Sequence, residues 1–290
     1  MLYFLLLLST CFATGKSVLF KKIGSDFNAP GQLFRLNGFS FMIAAVIVFI
    51  LSGFDIGSLI SLSFYSLGIS FFIAVSIIVT YLTQSKALSL ATTSSTMMIY
   101  SCGFLIPVFF SAIIYKESIS AIDWFALLLL IVAVFLIITP EKNSKPSLKW
   151  LLFSVVSMIG SGTTAVLQKV HQHSIYAHEF FSLAVCEFII AGVSLLVLSF
   201  VISKKNSFEH NFKHELKIGL VNGLFLGSIN LLNLILSGKL PAIIVFPIYN
   251  IGSIILSSII GRKLYHEKNS KNELWGFIIG CIAILLIGIF

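Results

Sequence analysis

The sequence predicts an all-α membrane protein with ten transmembrane helices, arranged as two inverted five-helix repeats. Three observations predict it. Hydrophobic residues make up 58% of the chain and charged residues 10%, with a mean hydropathy of +1.03, whereas a soluble globule carries roughly 25% charged residues. Ten apolar runs, most near the ~20 residues a bilayer span needs, are separated by short charged or turn-forming clusters. One pattern also occurs twice, 150 positions apart: Tyr115, Glu117, Ser120 and Asp123 in YKESISAID, and Tyr265, Glu267, Ser270 and Glu273 in YHEKNSKNE.

The runs place spans at 2–20, 33–52, 59–82, 92–114 and 121–139 in a first repeat (1–140), and at 149–168, 179–202, 216–237, 241–261 and 272–290 in a second (148–290). Span 1 lacks a basic leader, and its LSTC sequence matches a lipid-attachment box only loosely. Its echo in span 6, Val18-Leu19 and Lys21 against Val166-Leu167 and Lys169, argues that it stays as a helix. Spans 5 and 10 each open on the paired pattern. Ser-x-x-Asp or Ser-x-x-Glu ahead of an apolar run is a capping box, which satisfies amides at a helix start. Tyr and Glu then close the preceding helix, so each copy is a tight turn between antiparallel spans. Glu117, Ser120, Glu267 and Ser270 are thus read as helix-turn residues, with Glu117 and Glu267 anchoring turns at helix ends. Beyond the turns, Ala133, Leu136 and Ile137 match Ala283, Leu286 and Ile287. The linkers near 140–148 and 203–215 are too short for a soluble domain, so function must lie within the membrane.

Five spans per copy is an odd number, so the second copy enters the membrane from the opposite side. The charges agree. Connections after odd-numbered spans hold sixteen of the 19 Lys and Arg, and those after even-numbered spans the other three. By the positive-inside rule the odd connections face the cytoplasm, which puts both termini outside a cell membrane. The net charge of +8 is then topology and contact with the lipid bilayer, with no call for nucleic acid. Cys11, Cys102, Cys186 and Cys281 fall inside spans without paired spacing and are read as packing residues.

This pattern, with a Glu just before the last helix of each copy and Gly276 and Gly280 in the final helix, resembles the EamA branch of the drug/metabolite transporter superfamily. The resemblance spans nearly the whole chain. It implies a transporter whose cavity is lined by spans 1, 3, 4, 6, 8 and 9; the family is drawn with both termini cytoplasmic, against the charge count. Span 1, with Leu19 and Lys21, also resembles the opening helix of the small multidrug resistance proteins. Those carry a coupling carboxylate in span 1, where this chain has Thr14 and no acid. Inverted repeats permit exchange between inward-open and outward-open states about a fixed midplane site.

Polar residues inside the spans are the candidate substrate contacts. Span 8 carries Asn222, Asn230, Asn233 and Ser237 on one broad face, edged by Gly219, Gly223 and Gly227. That face can be a cavity wall or a small-residue packing seam. Span 9 presents Tyr249, Asn250 and Ser253, and its repeat partner span 4 presents Tyr100. Pro107 and Pro247 kink these two helices. Gln84 on span 3 and Thr164 on span 6 complete the set. Glu187 stands about eight residues into span 7, some ~12 Å deep by helical rise. It is a candidate for proton or cation coupling, or else a hydrogen-bonded structural acid. Lys16 either snorkels to the interface or serves the cavity, as a second coupling residue or an anion partner.

Other signals are weaker. Gly15-Lys16-Ser17 matches the end of a phosphate-binding loop, but Thr10 replaces its first glycine within an apolar helix. His171, His173, His178 and Glu179 are read as a solvated polar loop in preference to a metal site. No catalytic motif appears and no cofactor is implied. The expectation is a secondary transporter of a small organic solute, an amino acid or related metabolite, working by alternating access with Glu187 as a possible route to proton coupling. It would act as a monomer or weak homodimer. The alternatives are an exporter of drugs or organic cations, an intramembrane lipid-modifying enzyme and a non-transporting membrane subunit.

Overall fold

In lipid every backbone amide and carbonyl must be satisfied within the chain, so long apolar runs become helices. A computed structural model describes residues 1–26, 30–90, 96, 99–137, 147–203, 212–265 and 271–289. Its α-helices are α1 (Leu2–Asp26), α2 (Pro30–Leu51), α3 (Ile56–Ile60), α4 (Phe64–Leu90), α5 (Leu105–Ile114), α6 (Ala121–Ile137), α7 (Leu148–Gln172), α8 (Phe180–Ser203), α9 (Phe212–Ser237), α10 (Ala242–Tyr265) and α11 (Lys271–Ile289). Among the described residues there is no strand. Six helices are long and apolar enough to cross a membrane, and four shorter apolar stretches accompany them: Ile99–Ile114, Ala121–Leu136, Ala242–Ser257 and Leu274–Ile287. The chain is an all-helical, multi-pass membrane protein.

Several boundaries differ from those expected. The run expected as one span at 59–82 is broken. The short α3 ends at Ile60, and α4 starts afresh at Phe64 and continues to Leu90. The cause is local capping: Asp55 accepts from the Ser58 amide at the start of α3, and Ser63 Oγ accepts from the Ser66 amide at the start of α4. Near the start of α5, Pro107 lacks an amide donor, and the chain is tightened into a 3-10 turn over Cys102–Phe104.

The chain divides into two compact units. One comprises Gly15–Ile78 and Leu167–Gly238. In it α2 packs against α8 and α9, and small residues let the backbones approach. A Cβ on Gly223 would lie 2.6 Å from the Ser40 carbonyl oxygen, and one on Gly38 would lie 2.7 Å from Leu196 Cγ. Such contacts replace the hydrophobic drive that lipid does not supply. Asn222 Nδ2 donates to Ser40 Oγ across the same seam at 3.0 Å. At one end Arg35 on α2 holds Glu215 on α9 through both carboxylate oxygens, at 2.6 and 2.5 Å. Outward-facing Val193, Val197, Phe200 and Val201 form an exposed apolar stripe on α8 suited to lipid.

The other unit comprises Met1–Thr14, Val79–Val166 and Lys239–Phe290. Here α6 packs on α11, α11 on α10 and α10 on α5. Gly280 meets Ile255 and Ala133, Gly103 meets Ser161, and Gly252 meets Thr10. Trp150 Nε1 donates to Thr96 Oγ1 at 2.9 Å. The cysteines, expected as packing residues, are free. Cys11 and Cys281 are exposed, and Cys102 and Cys186 are partly buried.

Candidate functional site

A fully buried acid sits where α8 faces α9. Ala184, Phe188 and Ala191 on α8 are almost fully buried, so the Glu187 carboxylate between them turns inward and is itself fully buried. Asn230, three turns from the start of the Gly219–Gly223–Gly227 row, donates from Nδ2 to Glu187 Oε1 at 2.6 Å. The other two polar atoms of the pair, Glu187 Oε2 and Asn230 Oδ1, are buried and have no partner among the described residues. A carboxyl with one oxygen satisfied and one open can hold a proton or receive a ligand's donor, because leaving it bare is costly.

The remaining candidates fall within one unit or the other. Beside Glu187 and Asn230, the same unit holds Lys16, Asn222 and Asn233. Asn222 is fully buried and spends its amide on Ser40, while Asn233 is 8% exposed. Lys16 is half-buried. The second unit holds Gln84, Tyr100, Thr164, Tyr249, Asn250 and Ser253. Asn250 Nδ2 donates to the Phe246 carbonyl, Ser253 Oγ to the Asn250 carbonyl and Thr164 Oγ1 to the Gly160 carbonyl, all within their own helices. Gln84 is 8% exposed, and Tyr100 and Tyr249 are half-buried.

At the turn between α5 and α6, Lys116 takes φ +52° and ends α5. Ser120 and Asp123 then form a reciprocal box: Asp123 Oδ2 accepts from the Ser120 amide at 2.9 Å, and Ser120 Oγ accepts from the Asp123 amide at 3.1 Å. Glu117 reaches farther. Its Oε2 accepts from the Ala242 amide at 2.8 Å, so it caps the first turn of α10. Glu267 and Ser270 lie outside the described residues.

Sequence reasoning missed a second polar cluster. His171, read as part of a solvated loop, is fully buried at the end of α7 because that helix continues to Gln172. Its Nε2 lies 3.0 Å from Ser66 Oγ, which is 3.1 Å from Ser63 Oγ. Ser63 Oγ donates to Glu179 Oε2 at 2.6 Å, and Glu179 opens onto a pocket of about 240 Å³ whose walls include Asp55, Ser58, Ser61, His178 and Ser182. The signal that could have found it is the Ser-x-x-Ser of Ser63 and Ser66 ahead of an apolar run. Among the described residues no group of three or more His, Cys, Asp and Glu side chains could hold a metal.

No curated protein matches the sequence. A solved crystal structure aligns over 99% of this chain and 96% of its own with a TM-score of 0.77; at 12% identity it establishes a shared fold and nothing more. The model of the EamA-like transporter family, a family of membrane transporters of small solutes, matches residues 1–139. The chain is thus a multi-pass membrane protein whose residues 1–139 match the EamA-like transporter family.

Proposed function

We propose that the protein is a secondary transporter of a small organic solute, built from two inverted five-helix repeats and working by alternating access. The observation that carries this reading is the pairing of counterpart helices. Helix α2 packs on α8, its repeat equivalent, and α6 packs on α11, its own. Close approaches come in matched pairs too: Gly252 meets Thr10, and Gly103, 149 positions earlier, meets Ser161, 151 positions later. A pseudo-two-fold axis in the membrane plane produces such self-pairing. The cell membrane is the proposed location, with both termini outside on the charge count.

Glu187 with Asn230 is the proposed coupling pair, and Asn233, Tyr249, Asn250, Tyr100, Ser253, Gln84 and Thr164 are the proposed substrate contacts. Amide, hydroxyl and phenol groups suit a polar zwitterion, which makes an amino acid or related metabolite the proposed substrate class. The buried, half-satisfied Glu187 carboxylate favours an organic cation as the second reading. Uptake and exchange in proteoliposomes over a metabolite panel, with and without a pH gradient, test the proposal. Movement of a zwitterionic solute supports it, and absence of any transport or binding across the panel defeats it.

A further inference from the structure

We propose that His171 is a second proton-binding site, loaded from the pocket beside α3 through Glu179, Ser63 and Ser66. Its place is distinct from that of the Glu187–Asn230 pair. Four observations converge. The ring is fully buried, yet its Nδ1 has no partner among the described residues. Its Nε2 meets a hydroxyl 3.0 Å away. That hydroxyl lies 3.1 Å from a second one, which reaches a carboxylate at 2.6 Å. The carboxylate lines an open pocket. The four groups come from the capped start of α4, from α7 and from the turn ahead of α8, within one compact unit.

The chain can carry a proton in one direction with all atoms accounted for. A proton taken from water by the Glu179 carboxylate is donated to Ser63 Oγ as Ser63 gives its own hydroxyl proton to Ser66 Oγ. Ser66 in turn gives its proton to His171 Nε2. Both hydroxyls end as they began, the carboxylate is again anionic and the imidazole becomes imidazolium. In the neutral ring, accepting at Nε2 places the proton on Nδ1, the atom with no described partner. The ionisable groups around the ring are Glu179 and His178 on the turn ahead of α8, with Lys169 on α7 and His173 just past its end. The first turn of α4 and the residue that caps it supply the hydroxyls of Ser66 and Ser63. A buried imidazolium calls for water or an anion beside it.

The test is nitrogen NMR of the full chain in lipid nanodiscs with ¹⁵N-labelled histidine, the His171 signal being assigned by its loss in His171→Gln. Lowering the pH from about 8 to about 4 should convert it from the Nδ1–H neutral form to imidazolium. Ser66→Ala, which leaves the Ser63 cap of α4 in place, should slow proton exchange at the ring at least tenfold, and Ser66→Thr should restore it. Glu179→Gln should slow exchange likewise. A ring that stays neutral across the range in folded protein overturns the site. Exchange at the wild-type rate in both Ser66→Ala and Glu179→Gln overturns the path.

Discussion

Glu187 and Asn230 illustrate how far a single side chain can be understood from its own position and where a neighbour is needed. The sequence places Glu187 deep in an apolar run, too short to reach water, and therefore in need of a partner. The partner is 43 residues away on α9, and no local spacing encodes it. Asn222 and Asn230 share one broad face of α9, yet one amide turns to Ser40 and the other to Glu187. Glu187→Gln should keep the Asn230 hydrogen bond and the fold while abolishing the response of transport to a pH gradient; comparing uptake with and without the gradient checks this. Asn230→Ala leaves the buried carboxyl without its donor and should cost about 1–3 kcal/mol, read as a lowered unfolding midpoint in detergent.

Helices in this protein meet where side chains are missing. Gly223→Ala would press a methyl against the Ser40 carbonyl, a backbone atom that cannot swing aside, and should destabilise by about 1–3 kcal/mol. The same substitution at Gly68, where nothing lies within 4 Å, should be neutral or mildly stabilising, by up to about 1 kcal/mol. Paired thermal melts separate the two. At the end of α5, Lys116 holds a left-handed backbone that a lysine adopts only with strain. Lys116→Gly should therefore stabilise by about 0.5–1 kcal/mol. At this scale the sequence was informative about caps and silent about breaks. Ser120 and Asp123 stand three apart before an apolar run and form their box. Ser63 stands inside a longer apolar stretch, and hydropathy alone joined what its hydroxyl divides.

For the whole molecule, the all-helical character of the apolar runs could be read because lipid leaves the backbone no alternative to the helix. Which runs touch could not be read, since the lipid-facing and protein-facing sides of such helices are almost equally apolar. Val193 and Val197 face outward, while Ala184 and Ala191 on the same helix are buried. Orientation is open to a direct test. In a background lacking the four native cysteines, Lys204→Cys should react only after membranes are permeabilised, and Phe290→Cys should react in intact cells with an impermeant maleimide. The reverse pattern places both termini in the cytoplasm.

Each of the two units draws on both the early and the late part of the chain, which has a consequence for biosynthesis. Helix α2 finds its partners α8 and α9 only when the second half of the chain is made, and Glu117 waits for the amide of Ala242. At ordinary translation rates that interval is on the order of 10–30 s. During it Gly38 on α2 stays without Leu196, the residue it meets on α8. A ribosome stall between the halves would strand a membrane-inserted segment with no finished interior, exposed to the membrane's quality control for as long as the stall lasts.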